Sequence, residues 1–175
     1  MRKAGRTVAW SFLIFAHALP LAAFAESQSH SVQVTATILP RLELSVSPAT
    51  GSAIAFGAIV QPDDGHVTTK TVAVNLSVFS NLDRPYHVTQ SLRRSLTNAE
   101  GTAIPDKQFS VSARGASRGD VGSPGPIIPG QMATLYTSDA HGKSDAFVAD
   151  YALAVTPTTV AGNFATEIVY TVTSL

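Results

Sequence analysis

The 175-residue chain contains no cysteine, two methionines and one tryptophan, and only 14% of its residues are charged. The missing cysteine excludes disulfides, thiol catalysis, cysteine-ligated zinc and iron–sulfur clusters. A stable domain must then be held by its core, by a partner, or by both. Twelve basic residues balance twelve acidic ones, which excludes the basic field that nucleic-acid binding or a polybasic membrane patch requires. Beyond residue 25 no apolar period of 3.6 residues persists for the length of a helix. One long apolar run exists, at residues 8–21, behind Arg2, Lys3 and Arg6 and ahead of Ala23-Phe24-Ala25. A basic front, an apolar stretch and an A-x-A site predict a secretory signal peptide over residues 1–25. His17 and Pro20 interrupt the run and no charged stop comes after it, which argues against a membrane anchor. The mature chain would then begin near Glu26, with nine basic and twelve acidic residues and a net charge of −3. Its length suits one domain with a core of its own.

The chain is rich in alternation. Successive strand side chains point to opposite faces. Over residues 30–39, Val32, Val34, Ala36 and Ile38 therefore share one face, and Ser31, Gln33, Thr35 and Thr37 the other. Pro40 ends the stretch, and no turn ties it back to residues 41–46. Such a strand can complete its own sheet or be lent to a neighbour. Residues 41–46 themselves alternate, residues 53–60 read as a short apolar strand, and Pro62-Asp63-Asp64-Gly65 as a turn. The longest alternation sets Val72, Val74, Leu76 and Val78 on one face, with Lys70 exposed at its start. Residues 86–88 and 109–111 read as shorter strands. Residues 112–130, rich in Gly, Ser and Pro, read as one long surface loop. Residues 147–155 bring Tyr151, Leu153 and Val155 onto one face, and a last strand alternates from Phe164 to Val172. Short strands at roughly 8–12 residue spacing with Gly/Pro turns predict an all-β sandwich. The domain spans residues 41–175, with residues 26–40 as an N-terminal extension.

Four motifs invite a chemical reading. Gly115-Ala116-Ser117-Arg118-Gly119 matches the G-x-S-x-G nucleophile elbow in form, and Asp139 and His141 come after it in triad order. The elbow needs a strand-to-helix turn, which the Gly/Pro-rich flanks do not supply, and Asp and His two residues apart are poorly placed to orient one another. The reading is that the protein is not an enzyme, and no catalytic residue is assigned. Arg118-Gly119-Asp120 is an RGD tripeptide, read as a polar turn of the exposed loop. Asp63, Asp64 and His66, or Asp139 and His141, offer too few ligands at any recognised metal spacing, so neither metal nor cofactor is expected. Asn75-Leu76-Ser77 is a glycosylation sequon in form only, in the middle of a strand.

The two terminal strands carry a resemblance. Val32-Gln33-Val34-Thr35-Ala36-Thr37-Ile38-Leu39-Pro40 followed by Arg41-Leu42-Glu43-Leu44, and Ala161-Gly162-Asn163-Phe164 leading into the final strand, resemble the major pilins of alpha-class chaperone–usher fimbriae, the cysteine-free colonisation-factor type. The resemblance implies an immunoglobulin-like β-sandwich that lacks one strand and is completed by a donor strand from the next subunit. Val32, Val34, Ala36 and Ile38 would be the donor-strand plug. Phe164, Ile168, Tyr170 and Val172 would line the acceptor groove along the final, chaperone-bound strand. The implied partners are neighbouring copies of the chain, a periplasmic chaperone and an outer-membrane usher, with room for a host or surface receptor. The implied destination is the cell surface, reached through the periplasm. The alternative is a self-complete secreted sandwich that binds carbohydrate or cell wall, resembling a WxL-type surface domain, with the first strand paired in its own sheet.

Overall fold

The structure, a computed structural model, describes residues 31–49, 51–61 and 65–175. The expected signal peptide, residues 26–30 of the extension and the Pro62-Asp63-Asp64 part of the expected turn lie outside the described residues. The chain divides between Thr37 and Ile38. In the first unit, residues 31–37 carry no regular secondary structure and all are exposed. The strand expected at residues 30–39 is therefore absent from the described chain, since an isolated strand has no ladder to hold it.

The second unit, from Ile38 to Leu175, is all-β. Its strands are β1 (Leu42–Pro48), β2 (Thr68–Ser80), β3 (Tyr86–Leu92), β4 (Phe109–Arg114), β5 (Asp120–Val121), β6 (Gly125–Pro126), β7 (Met132–Thr137), β8 (Asp145–Val155) and β9 (Ile168–Ser174). They form two antiparallel sheets, ordered β1-β2-β8-β4-β6 and β5-β7-β3-β9. One 3-10 turn, Asp106–Gln108, precedes β4.

The period-2 pattern explains which faces meet. On β2, Val74, Leu76 and Val78 are buried while Asn75, Ser77 and Phe79 are exposed. On β8, every second residue from Phe147 to Val155 is buried. Opposite them lie Tyr86, Val88 and Leu92 of β3 and Leu135 and Tyr136 of β7. Aromatic pairs tie the core together: Tyr136 stacks on Phe147 at 5.0 Å between ring centroids, and Phe109 on Tyr151 at 5.8 Å. Each such large side chain contributes about 1.5–3 kcal/mol when fully buried.

Several boundaries differ from the sequence reading. Residues 53–60 form no strand, because Gly57 takes a φ of +67° that interrupts extended pairing. Residues 112–130 are not one loop: β4 runs on to Arg114, β5 and β6 pair at the sheet margins, and Ile127 is 3% exposed within the core. Strand β7 goes unread in the sequence because its register shifts opposite Val88 and Thr89. That bulge turns two consecutive residues, Leu135 and Tyr136, inward and breaks the alternation. The last strand begins at Ile168, not Phe164; ahead of it Ala165 makes a single bridge to Thr97.

Candidate functional site

Sheet order leaves β1 at the margin of one sheet and β9 at the margin of the other. Among the described residues, β1 pairs only with β2 and β9 only with β3. Both therefore present an unpaired row of backbone N–H and C=O groups along one side. Where the end of β1 and the start of β9 meet residues 53–61 and 159–167, the core is not closed. Leu42 and Leu44 of β1 and Ile168, Tyr170 and Val172 of β9 pack against the core yet stay half-buried, and Val46 is 37% exposed.

The opening is a groove of about 1160 Å³. Its margins include Val46, Ile168 and Tyr170, its floor includes Phe109 and Leu153, and Phe164 stands at one end. The volume exceeds the roughly 300–1,000 Å³ of small-molecule pockets.

One wall is the segment 53–61, which has no ladder and is held instead by side chains. Ile54, Phe56 and Ile59 turn inward, and Phe56 meets Phe109 edge-on at 6.0 Å. The Lys70 ammonium donates to the carbonyls of Phe56, at 3.3 Å, and Ala58. Gln61 Nε2 donates to the carbonyls of Thr156, at 3.2 Å, and Thr159. Lys70 is expected from the sequence at an exposed strand start; it is partly buried and fixes the wall.

A polar chain runs from the groove into the core. Tyr170 donates to Tyr151 at 2.8 Å, and Tyr151 donates to Gln90 Oε1 at 2.7 Å. Gln90 is 1% exposed, and among the described residues its Nε2 has no hydrogen-bond partner. Burial pushes the Tyr170 phenol up to about 12, partly offset by its bond to Tyr151. Burial also raises Tyr151, with the neighbouring Tyr170 adding to the effect.

The acceptor residues named from the sequence come together here: Phe164, Ile168 and Tyr170 line the groove, and Val172 packs further along β9. The residues read from the sequence as a plug share in no core among the described residues. Val32, Val34 and Ile38 are 85%, 89% and 84% exposed, and Ala36 is exposed with them. The sequence leaves unread the opposite wall, 53–61, and the side chains that hold it.

The remaining motifs have structural partners. The Ser117 hydroxyl donates to Asp145 at 2.7 Å, and Asp145 also accepts from the Arg118 and Ala146 amides and the Tyr136 phenol. Burial works to raise the Asp145 carboxyl, but these hydrogen bonds outweigh it and hold the group well below the usual carboxylate range. His141 Nδ1 lies 3.3 Å from Asp83, while Asp139 accepts from the amides of His141 and Lys143. Ser117, Asp139 and His141 are thus not joined as a triad. Of the RGD residues, Gly119 lies so close to the Thr137 carbonyl and the Tyr136 ring that a Cβ would collide with both, and Asp120 opens β5 opposite Thr137. Among the described residues no group of three His, Asp or Glu side chains is placed to hold a metal ion. No protein-family model matches the chain, and no curated protein matches it.

Proposed function

We propose that this protein is a structural subunit of a bacterial surface fimbria that polymerises by donor-strand complementation and supports adhesion. The observation that carries the reading is the apolar groove that opens where the end of β1 and the start of β9 meet residues 53–61 and 159–167, both strands having, among the described residues, unpaired outer margins. An immunoglobulin-like sandwich short of one strand would have such a groove. The occupant is the N-terminal segment of a neighbouring copy. Its Val32, Val34, Ala36 and Ile38 alternate along the chain and stand exposed, whereas a self-complete sandwich would hold them in its own sheet. The incoming backbone extends both margins, and alternate side chains fill the groove.

Burying three large aliphatic side chains and one alanine contributes about 5–10 kcal/mol gross. Lost translational freedom and the ordering of the segment reduce that figure. An unfilled groove is a template for indiscriminate pairing, so assembly calls for a periplasmic chaperone to cover it and an outer-membrane usher to exchange it. The export route starts from the signal peptide expected at residues 1–25 and ends at the cell surface.

The test compares the chain from residue 26 with the chain from residue 41 by size exclusion and light scattering. The longer form should polymerise or demand a chaperone. The shorter should lose self-assembly and bind a peptide spanning residues 31–40. A longer form that is a stable monomer, destabilised by truncation and not rescued by the peptide, would sink the proposal.

A further inference from the structure

We infer that Asn81 fixes the outgoing direction of residues 38–41, so that the N-terminal segment is offered to a second copy of this chain and kept out of its own groove. The inference rests on the assembly reading above and assigns a positioning residue to it.

The physical reason begins at Pro40. Proline has no N–H, so the β1–β2 ladder cannot run through it. Backbone pairing ends where the Asn81 N–H donates to the Arg41 carbonyl at 3.2 Å. From there the Asn81 side chain takes over. Its Oδ1 accepts from the Arg41 N–H at 2.6 Å, and its Nδ2 donates to the Leu39 carbonyl at 2.9 Å. One side-chain amide thus holds the backbone on both sides of the proline. Arg41 is pinned further, its guanidinium 5.1 Å over the Phe79 ring and paired with Glu43. Residues 39–41 are thereby held along the β2 side of β1, opposite the margin that faces the groove.

Filling its own groove would require the chain to reverse at Pro40-Arg41 and return along the free margin of β1. Two-residue reversals between antiparallel strands take positive φ at one or both central residues. Proline is fixed near −65°, and arginine avoids the left-handed region. The reversal would also break both Asn81 side-chain bonds. Self-insertion is therefore opposed by the turn chemistry and by the clamp, while insertion into a second copy disturbs neither.

The test uses the full chain, expressed from its first residue, as wild type and as Asn81→Ala. Light scattering after size exclusion reads the assembly state, and hydrogen exchange reads the amides of residues 32–38. The wild type should form assemblies with those amides protected. Asn81→Ala should raise the share of monomer about fivefold or more, since it loses two side-chain hydrogen bonds and one alone is worth about fivefold, with residues 32–38 protected in the monomer. If Asn81→Ala assembles like the wild type, the clamp is overturned and the assembly reading stands. A monomeric Asn81→Ala with an unprotected segment also overturns it, since nothing has inserted in cis. A wild-type monomer whose segment is already protected refutes the clamp directly, and one whose segment exchanges freely at every concentration removes the assembly reading along with it. Should near-UV circular dichroism show that Asn81→Ala has not folded, Asn81→Asp carries the same readouts, because it keeps the acceptor for Arg41 and loses the donor to Leu39.

Discussion

Tyr170 stands where the core opens into the groove, with its ring among apolar neighbours and its hydroxyl committed to Tyr151. Its ordinary phenol value is 10.0, and in the folded chain burial moves it to about 12. Between those values the unfolded state has released its proton and the folded state has not. The stability that Tyr170 contributes is therefore complete below about pH 10 and is lost as pH rises toward 12. Tyr170→Phe should cost about 1 kcal/mol near neutral pH and should make the alkaline loss of stability shallower, both measurable by urea unfolding across the pH series. A variant that keeps the full wild-type slope would transfer the effect to the other tyrosines. Alternation alone is enough to assign Tyr170 to the inward face. It does not reach Gln90 at the far end of the same polar chain, because the strand legible in the sequence stops at Val88 and the buried amide lies two residues beyond.

At the scale of elements, regular alternation is legible and interrupted alternation is not. β2 and β8 can be read because Val74, Leu76 and Val78, and Phe147 through Val155, keep a strict period of two. The bulge of β7 hides that strand, and the wall segment 53–61 imitates one because its apolar composition suits a strand while Gly57 forbids it. Half of the groove is therefore visible in the sequence, the β9 half. The other half depends on tertiary hydrogen bonds from Lys70 and Gln61, which no local pattern announces. Lys70→Met keeps the stem and removes the ammonium. It should weaken binding of a 31–40 peptide to the chain truncated at residue 41 by about five- to tenfold, the worth of roughly one net hydrogen bond. Far-ultraviolet circular dichroism should stay unchanged. Unaltered affinity on titration would mean that the wall keeps its place without Lys70.

For the whole molecule, exposure separates assembly from stability. Val34 and Ile38 are 89% and 84% exposed, so replacing either by aspartate should move the unfolding free energy of the isolated chain by less than about 0.5 kcal/mol. The same charge carried into an apolar groove is unpaired and costs far more than the methyl groups it replaces. Val34→Asp should abolish assembly in light scattering while leaving the thermal midpoint of the monomer in place; loss of both together would place Val34 in the fold of its own domain. The clamp at Asn81 has a mechanical meaning as well. A pull on residue 39 is delivered through Pro40 and Arg41 into β1 along the strand's own axis, and the Asn81 side chain passes part of it to the end of β2. Ladder bonds between antiparallel strands lie perpendicular to the strands, and β1 and β2 are in register over seven residue pairs, from Leu42 opposite Ser80 to Pro48 opposite Val74. The load is shared across that ladder in shear instead of opening it one bond at a time, the arrangement in which a strand resists extraction best.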